Sequence, residues 1–203
     1  MLSSVLALLA DEKTSCDLPD RFGRTPLHWA AEQGRRNVVH ALLRAGACVD
    51  PRSQREATPL MLAASRGHAG VVGLLLQYSA GESDRGAFLD WQNGTGETPL
   101  YRAAHLNHDT VVRLLLNAGA DPSLSDCLGI SPLHGAAGNG CGKAVADLLA
   151  AGANVDQVAL TGHSPLHKAV IKDSVDVVSL LLNAGASTEH RDTTHGQTPL
   201  SWA

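Results

Sequence analysis

The sequence predicts an all-α solenoid of helix–turn–helix units stacked side by side. Three periodic observations predict it. Thr25-Pro26-Leu27-His28, Thr58-Pro59-Leu60-Met61, Thr98-Pro99-Leu100-Tyr101, Ser131-Pro132-Leu133-His134, Ser164-Pro165-Leu166-His167 and Thr198-Pro199-Leu200-Ser201 recur at spacings of 33, 40, 33, 33 and 34 residues. An Ala pair or near-pair follows five residues after each start, at Ala30/Ala31, Ala63/Ala64, Ala103/Ala104, Ala136/Ala137 and Ala169/Val170. A Leu pair follows at seventeen, at Leu42/Leu43, Leu75/Leu76, Leu115/Leu116, Leu148/Leu149 and Leu181/Leu182. A period of this length is the mark of a stacked repeat, in which each unit completes its core against its neighbours.

Within a unit, Thr or Ser followed by Pro is a helix cap followed by the residue best suited to the first helical position. The first helix therefore starts at each tetrapeptide. It ends about nine residues on, at Gly34, Gly67, Asn107, Gly140 and Asp173, residue types that tolerate a left-handed backbone. A second helix carries Val38/Val39, Val71/Val72, Val111/Val112, Val145 and Val177/Val178 on the same face as the Leu pairs, three to four residues further on, and that stripe is expected to face the stack. Gly46, Gly119, Gly152 and Gly185 end the second helix, and Gly23, Gly96, Gly129, Gly162 and Gly196 let the chain turn before the next cap. Helices of two or three turns are marginal alone, so their stability has to come from neighbouring units.

A turn and two helices repeating near 33 residues with Thr-Pro-Leu-His-x-Ala resembles the ankyrin repeat over nearly the whole chain. The resemblance divides the chain into a partial unit at 1–19 and repeats at 20–52, 53–92, 93–125, 126–158 and 159–192, with a truncated sixth at 193–203. It implies L-shaped units with turns projecting as hairpin fingers, first helices lining a concave groove, a protein or extended peptide as partner, and no cofactor. It also implies that His28, His134 and His167, at one repeat position, are structural hydrogen-bonding groups.

Two places depart from the pattern. Ser3–Ala10 reads as the second helix of a unit whose first helix is missing, and the sixth unit stops after a few residues, so the sequence is expected to be a piece of a longer chain. The 40-residue spacing places about seven extra residues in a long finger around 77–92. There Gly81 to Gly86 is a polar turn, while Phe88, Leu89 and Trp91 either offer an aromatic contact to a partner or fold back onto the neighbouring unit.

Carried onto this sequence, the family pattern puts variable binding residues on the fingers and on the exposed face of the first helices. The candidates are Phe22, Arg24, Trp29, Arg55, Leu62, Arg66, Trp91, Arg102, His105, Leu106, Lys168 and Lys172, and the same positions include Glu32 in the first unit. Aromatic and Arg side chains dominate interface hot spots, which singles out Phe22, Trp29, Arg66 and Arg102. Trp29 has an alternative reading, packing against the next unit's first helix. The arginines at the front suit an acidic or phosphorylated peptide.

Composition bounds the rest. The chain has 203 residues, 44% hydrophobic and 18% charged, with a formal net charge of -4. Residues 1–66 carry nine Lys/Arg against seven Asp/Glu and the remainder seven against thirteen, which gives no dense basic stripe for nucleic acid. Cys16, Cys48, Cys127 and Cys141 are too dispersed for a disulfide framework, so a reducing compartment is expected, cytoplasmic or nuclear. No signal peptide or membrane span is legible, and the isolated module is expected to be monomeric.

Catalytic readings fail on the residues. Gly138-Asn139-Gly140-Cys141-Gly142-Lys143 suggests a phosphate loop, but Ala137 stands where the first Gly is required and Ala144 where Ser or Thr should follow the Lys. The His163/His167 and His105/His108 pairs lack further ligands at metal spacing, and no nucleophile–base motif is present. Two function classes remain: an adaptor that captures a separate protein, or a regulatory region docking within a larger enzyme, channel or receptor.

Overall fold

The computed structural model of the chain describes residues 16–79 and 88–203. The expected Ser3–Ala10 helix and Gly81–Gly86 turn lie outside them. Five helix pairs follow in order: α1 (Pro26–Glu32) and α2 (Arg36–Arg44), α3 (Pro59–Ser65) and α4 (Ala69–Tyr78), α5 (Pro99–His105) and α6 (Asp109–Ala118), α7 (Pro132–Gly138) and α8 (Gly142–Ala150), α9 (Pro165–Ile171) and α10 (Val175–Asn183). A 3-10 turn at Pro199–Trp202 opens a sixth unit. The odd-numbered helices and this turn pack in one row and the even-numbered helices in a second, so the chain is an all-α two-layer solenoid.

The helix starts follow the caps. Hydroxyls of Thr58, Thr98, Ser131 and Ser164 accept from the amide three residues on, at 3.2, 3.0, 3.4 and 3.5 Å. The stops follow the left-handed positions: φ is 65° at Gly34, 71° at Gly67, 59° at Asn107, 69° at Gly140 and 59° at Asp173. At the end of the second helix, unit 2 differs. Ser79 stands where the other units have Gly; it keeps helical angles (φ -78°) and its hydroxyl donates to the Leu76 carbonyl, so the chain leaves α4 without the left-handed turn and enters the insertion.

One continuous core runs along the stack, built from Leu27, Leu60, Leu100, Leu133 and Leu166 of the first row and Leu42, Leu75, Leu115, Leu148 and Leu181 of the second. The second Leu of each pair varies along the stack. Leu43 and Leu76 are buried, Leu116 and Leu149 are half-buried and Leu182 is 44% exposed.

The histidines join units to one another. At the first-helix position, Nδ1 of His28, His134 and His167 accepts from the capping residue's own amide, at 3.0, 3.2 and 3.1 Å. That fixes the proton on Nε2, which donates to the next unit's finger at the carbonyls of Ala57 (2.9 Å), His163 (3.0 Å) and Gln197 (3.2 Å). His68 and His108 run the other way, from Nε2 to the Glu32 and Ser65 carbonyls of the preceding first helix.

Candidate partner-binding surface

Each first helix is preceded by a finger that turns by one local rule. The segments Asp20–Arg24, Ser53–Ala57, Asn93–Glu97, Asp126–Ile130, Ala159–His163 and Asp192–Gln197 are fingers 1 to 6, each closed by an amide of its first residue donating to the carbonyl of its last at 2.9–3.1 Å. In four of them the opening Asp or Asn holds the turn. Oδ1 of Asp20 accepts from Phe22 and Arg24, that of Asn93 from Thr95 and Glu97, that of Asp126 from Leu128 and Ile130, and that of Asp192 from Thr194 and His195. Adjacent fingers are rungs of a ladder: Gln54 N–H donates to Phe22 O, Cys127 to Thr95, Leu160 to Leu128 and Thr193 to Thr161. Between fingers 2 and 3 that rung is replaced by the Trp91 indole N–H, which donates to the Glu56 carbonyl at 2.8 Å.

Fingers 1 and 2 and the helices behind them enclose a cleft of about 390 Å³ lined by Phe22, Arg24, Trp29, Ser53, Gln54, Arg55, Ala57 and Leu62. Five sequence candidates therefore meet in one place. Phe22 is 51% and Trp29 45% exposed, yet neither is loose. The Trp29 indole donates to Asp20 Oδ2 at 3.0 Å, the Arg24 guanidinium lies over its ring at 3.9 Å, and Arg21 lies over Phe22 at 4.7 Å. Trp29 thus packs on its own finger. Backbone hydrogen bonds, that from Arg24 first, hold the Asp20 carboxyl below the usual carboxylate range, which keeps this anchor ionised.

Charge on this face is shared internally. Glu32, whose side chain is 15% exposed, is bound by both Arg24 and Arg66, the latter at 3.1 Å. The Arg24 hydrogen bond above all, with that of Arg66 behind it, pulls the Glu32 carboxyl down against the opposing effect of burial. Arg102 pairs with Glu97 at 3.3 Å. Arg55 and Arg21 are exposed at the tips of fingers 2 and 1 and make no ion pair with any described residue.

The other candidates sit apart from the cleft. Trp91 is half-buried on the unit 2 to unit 3 junction beneath the Arg52 guanidinium, 3.4 Å from its ring centroid. Phe88 and Leu89, by contrast, are 4% and 2% exposed and belong to the core. His105 stacks on Tyr101 with centroids 5.7 Å apart, and its carbonyl accepts from Asn139; Leu106 beside it is exposed. Lys168 lies half-buried against Gly138, and Lys172 is exposed at the end of α9.

Sequence reasoning nominated Glu32 by repeat position as a binding residue and missed its role as the shared acceptor of two arginines; it missed Asp20, and Ser53 and Gln54 in the cleft lining, altogether. A signal for Asp20 was present: Asp20, Asn93, Asp126 and Asp192 recur five or six residues before the cap. The same arrangement returns at the other end of the stack, where Trp202 donates to Asp192 Oδ2 at 3.2 Å. Backbone hydrogen bonding, led by His195, lowers the Asp192 pKa to about 2. The segment Gly138–Lys143 is the turn from α7 to α8, with Gly140 left-handed. Among the described residues no group of three His, Cys, Asp or Glu side chains is arranged to hold a metal, and no helix is long and apolar enough to cross a membrane. The four cysteines are free thiols; burial pushes the Cys141 thiol up, away from a reactive thiolate.

Two rows of short helices bridged by hydrogen-bonded fingers define a repeat solenoid whose surfaces are open faces. Family models agree with that architecture: ankyrin repeats (3 copies) match residues 47–126, 85–159 and 133–203, and a single ankyrin repeat matches 22–54. The chain belongs to the ankyrin repeat family. It is 38% identical over 101 residues to human transient receptor potential cation channel subfamily A member 1, covering 50% of this chain and 9% of the channel. It is 34% identical over 128 residues to a putative ankyrin repeat-containing protein of Treponema pallidum (strain Nichols), covering 63% and 41%. With human neurogenic locus notch homolog protein 1 the identity is 35% over 112 residues, covering 55% and 4%. The chain spans less than half the length of each of these relatives.

Proposed function

We propose that the chain is a protein-interaction module, a scaffold or adaptor that holds a partner protein or an extended peptide segment on its finger side, centred on units 1 to 3. The observation that carries this reading is the cleft between fingers 1 and 2. Two aromatic side chains are exposed there, each held by local contacts before a partner arrives. Side chains fixed in advance lose little entropy on binding, and exposed aromatics with Arg neighbours have the composition of a hot spot. Arg102, His105 and Leu106 extend the face along α5, and Lys168 and Lys172 along α9. The acidic character expected of the partner rests on Arg55 and Arg21, because Arg24 and Arg66 already share Glu32. Among the described residues the faces are open, unlike the enclosed pockets that catalysis favours. The module acts as a monomer in the cytoplasm or nucleus.

A second reading, in which the same face docks on a flanking segment of a larger receptor or channel, is favoured by similarity to short stretches of two much longer proteins. Affinity capture with the chain as bait tests the first reading, beside a folded variant carrying Trp29→Ala, Arg66→Glu and Arg102→Glu. A partner captured by the chain and lost with the variant supports it. A partner retained by both moves the site to another face, and capture of none favours intramolecular docking.

A further inference from the structure

We infer that the cleft between fingers 1 and 2 seats one large apolar side chain of an acidic peptide segment, whose neighbouring carboxylates meet Arg55 and Arg21. This rests on the reading above that the finger side is the binding face. The cleft is lined by the apolar side chains of Phe22, Trp29 and Leu62 together with Ser53, Gln54 and Ala57. At about 390 Å³ it lies at the small end of ligand-sized clefts. That suits one anchoring side chain with its backbone passing across the finger tips.

Charge selects the flanks of that anchor. Both carboxylates behind the cleft are spent: Asp20 accepts from two backbone amides and the Trp29 indole, and Glu32 binds two arginines. Glu56, beside Arg55, is the remaining exposed carboxylate of fingers 1 and 2, set against two guanidinium groups that have no anion among the described residues. A phosphate group draws on several Arg forks converging on one point. Here Arg24 and Arg66 are turned onto Glu32, and the remaining arginines stand one to a finger, a distribution that fits separate carboxylates along a segment.

The test is selection of random dodecapeptides displayed on phage against the immobilised 203-residue chain. Enriched sequences are then synthesised and titrated by fluorescence anisotropy against the chain and its Arg55→Glu and Leu62→Glu variants, each checked by circular dichroism. Phe22→Ser, at an exposed position, replaces Leu62→Glu if that variant fails to fold. The expected result is a shared aromatic or Leu with Asp or Glu beside it, and affinity about ten-fold weaker or more in each variant, the Arg55 loss shrinking at high salt. Enriched peptides without acidic residues, or with affinities that neither variant changes, overturn the inference and leave the module reading standing. Absence of any peptide that binds the unaltered chain overturns both.

Discussion

The junction between units 1 and 2 and the junction between units 2 and 3 solve the same stacking problem by different means. At the first, polar groups cross the interface repeatedly. His28 reaches the Ala57 carbonyl, the Gln54 amide and side chain reach finger 1 at Phe22 and Arg21, and His68 reaches back to Glu32. At the second, His108 still reaches back to the Ser65 carbonyl, but Met61 occupies the bridging His position and the finger rung is replaced by the Trp91 indole. Burial takes over there. Val71, Val72, Leu74, Leu75 and Leu76 of α4 are all in the core, and Phe88 and Leu89 join them from the insertion. Hydrogen bonds fix register between units, while apolar burial supplies most of the adhesion. A stack can therefore admit an insertion where it exchanges the first for more of the second.

Phe88→Ala is the largest break in this comparison. It removes a side chain that is 4% exposed from the junction lacking a finger rung, and unfolding in urea should show a loss of about 3–5 kcal/mol. A loss below about 0.5 kcal/mol would mean that Phe88 faces solvent and that burial does not compensate for the missing rung.

Acid separates the two kinds of junction next. Burial lowers the His134 pKa to about 4 and pushes those of His28 and His167 down as well. An imidazole kept neutral in the fold but free to protonate when unfolded stabilises the native state fully above its unfolded pKa near 6.5. That contribution is lost as pH falls through about 4, for His134 on the order of 3 kcal/mol. Urea midpoints should therefore fall steadily below pH ~6.5. His134→Leu, which has no proton to gain, should flatten that slope at the cost of the bridge to unit 5, and an unchanged slope would remove His134 from the account.

The smallest effect sharpens the picture of the unusual junction. Glu56 has φ 57° at the finger position where the other units carry Gly, a conformation costing an ordinary residue about 1–2 kcal/mol. Glu56→Gly should raise stability by about 1 kcal/mol or less, since glycine's greater freedom when unfolded offsets part of the relief. A measured loss would show that the Glu56 side chain contributes more than its backbone strain removes.

Much of this was legible in the sequence because it is local. Caps, left-handed stops and the shared position of His28, His134 and His167 each depend on residues a few places apart, and the structure holds them where the pattern put them. Phe88 and Leu89 could be assigned to core or surface only by knowing what they fold against. The cleft was half legible: Phe22, Arg24, Trp29, Arg55 and Leu62 were nominated one by one by repeat position. Their convergence, and the diversion of Arg24 and Arg66 onto Glu32, depends on contacts that cross from one unit to the next. Side chains at equivalent positions can do different work when their neighbours differ.

The backward-reaching histidines carry a consequence for how such an array can change. A Cβ on Gly34 would lie 2.6 Å from His68 Nδ1, and one on Gly67 2.5 Å from His108 Nδ1. Asn107 and Asp173 hold the same left-handed stop with side chains, and at the repeat position of His68 and His108 the unit after Asn107 carries Cys141. At Gly34 and Gly67 the glycine is thus tied to an imidazole in the next unit as well as to its own backbone angle, whereas Gly140 faces Ser174. Units cannot be shuffled, duplicated or replaced singly without regard to which residue comes next. The inheritable block is a staggered one, from the middle of one repeat to the middle of the following repeat.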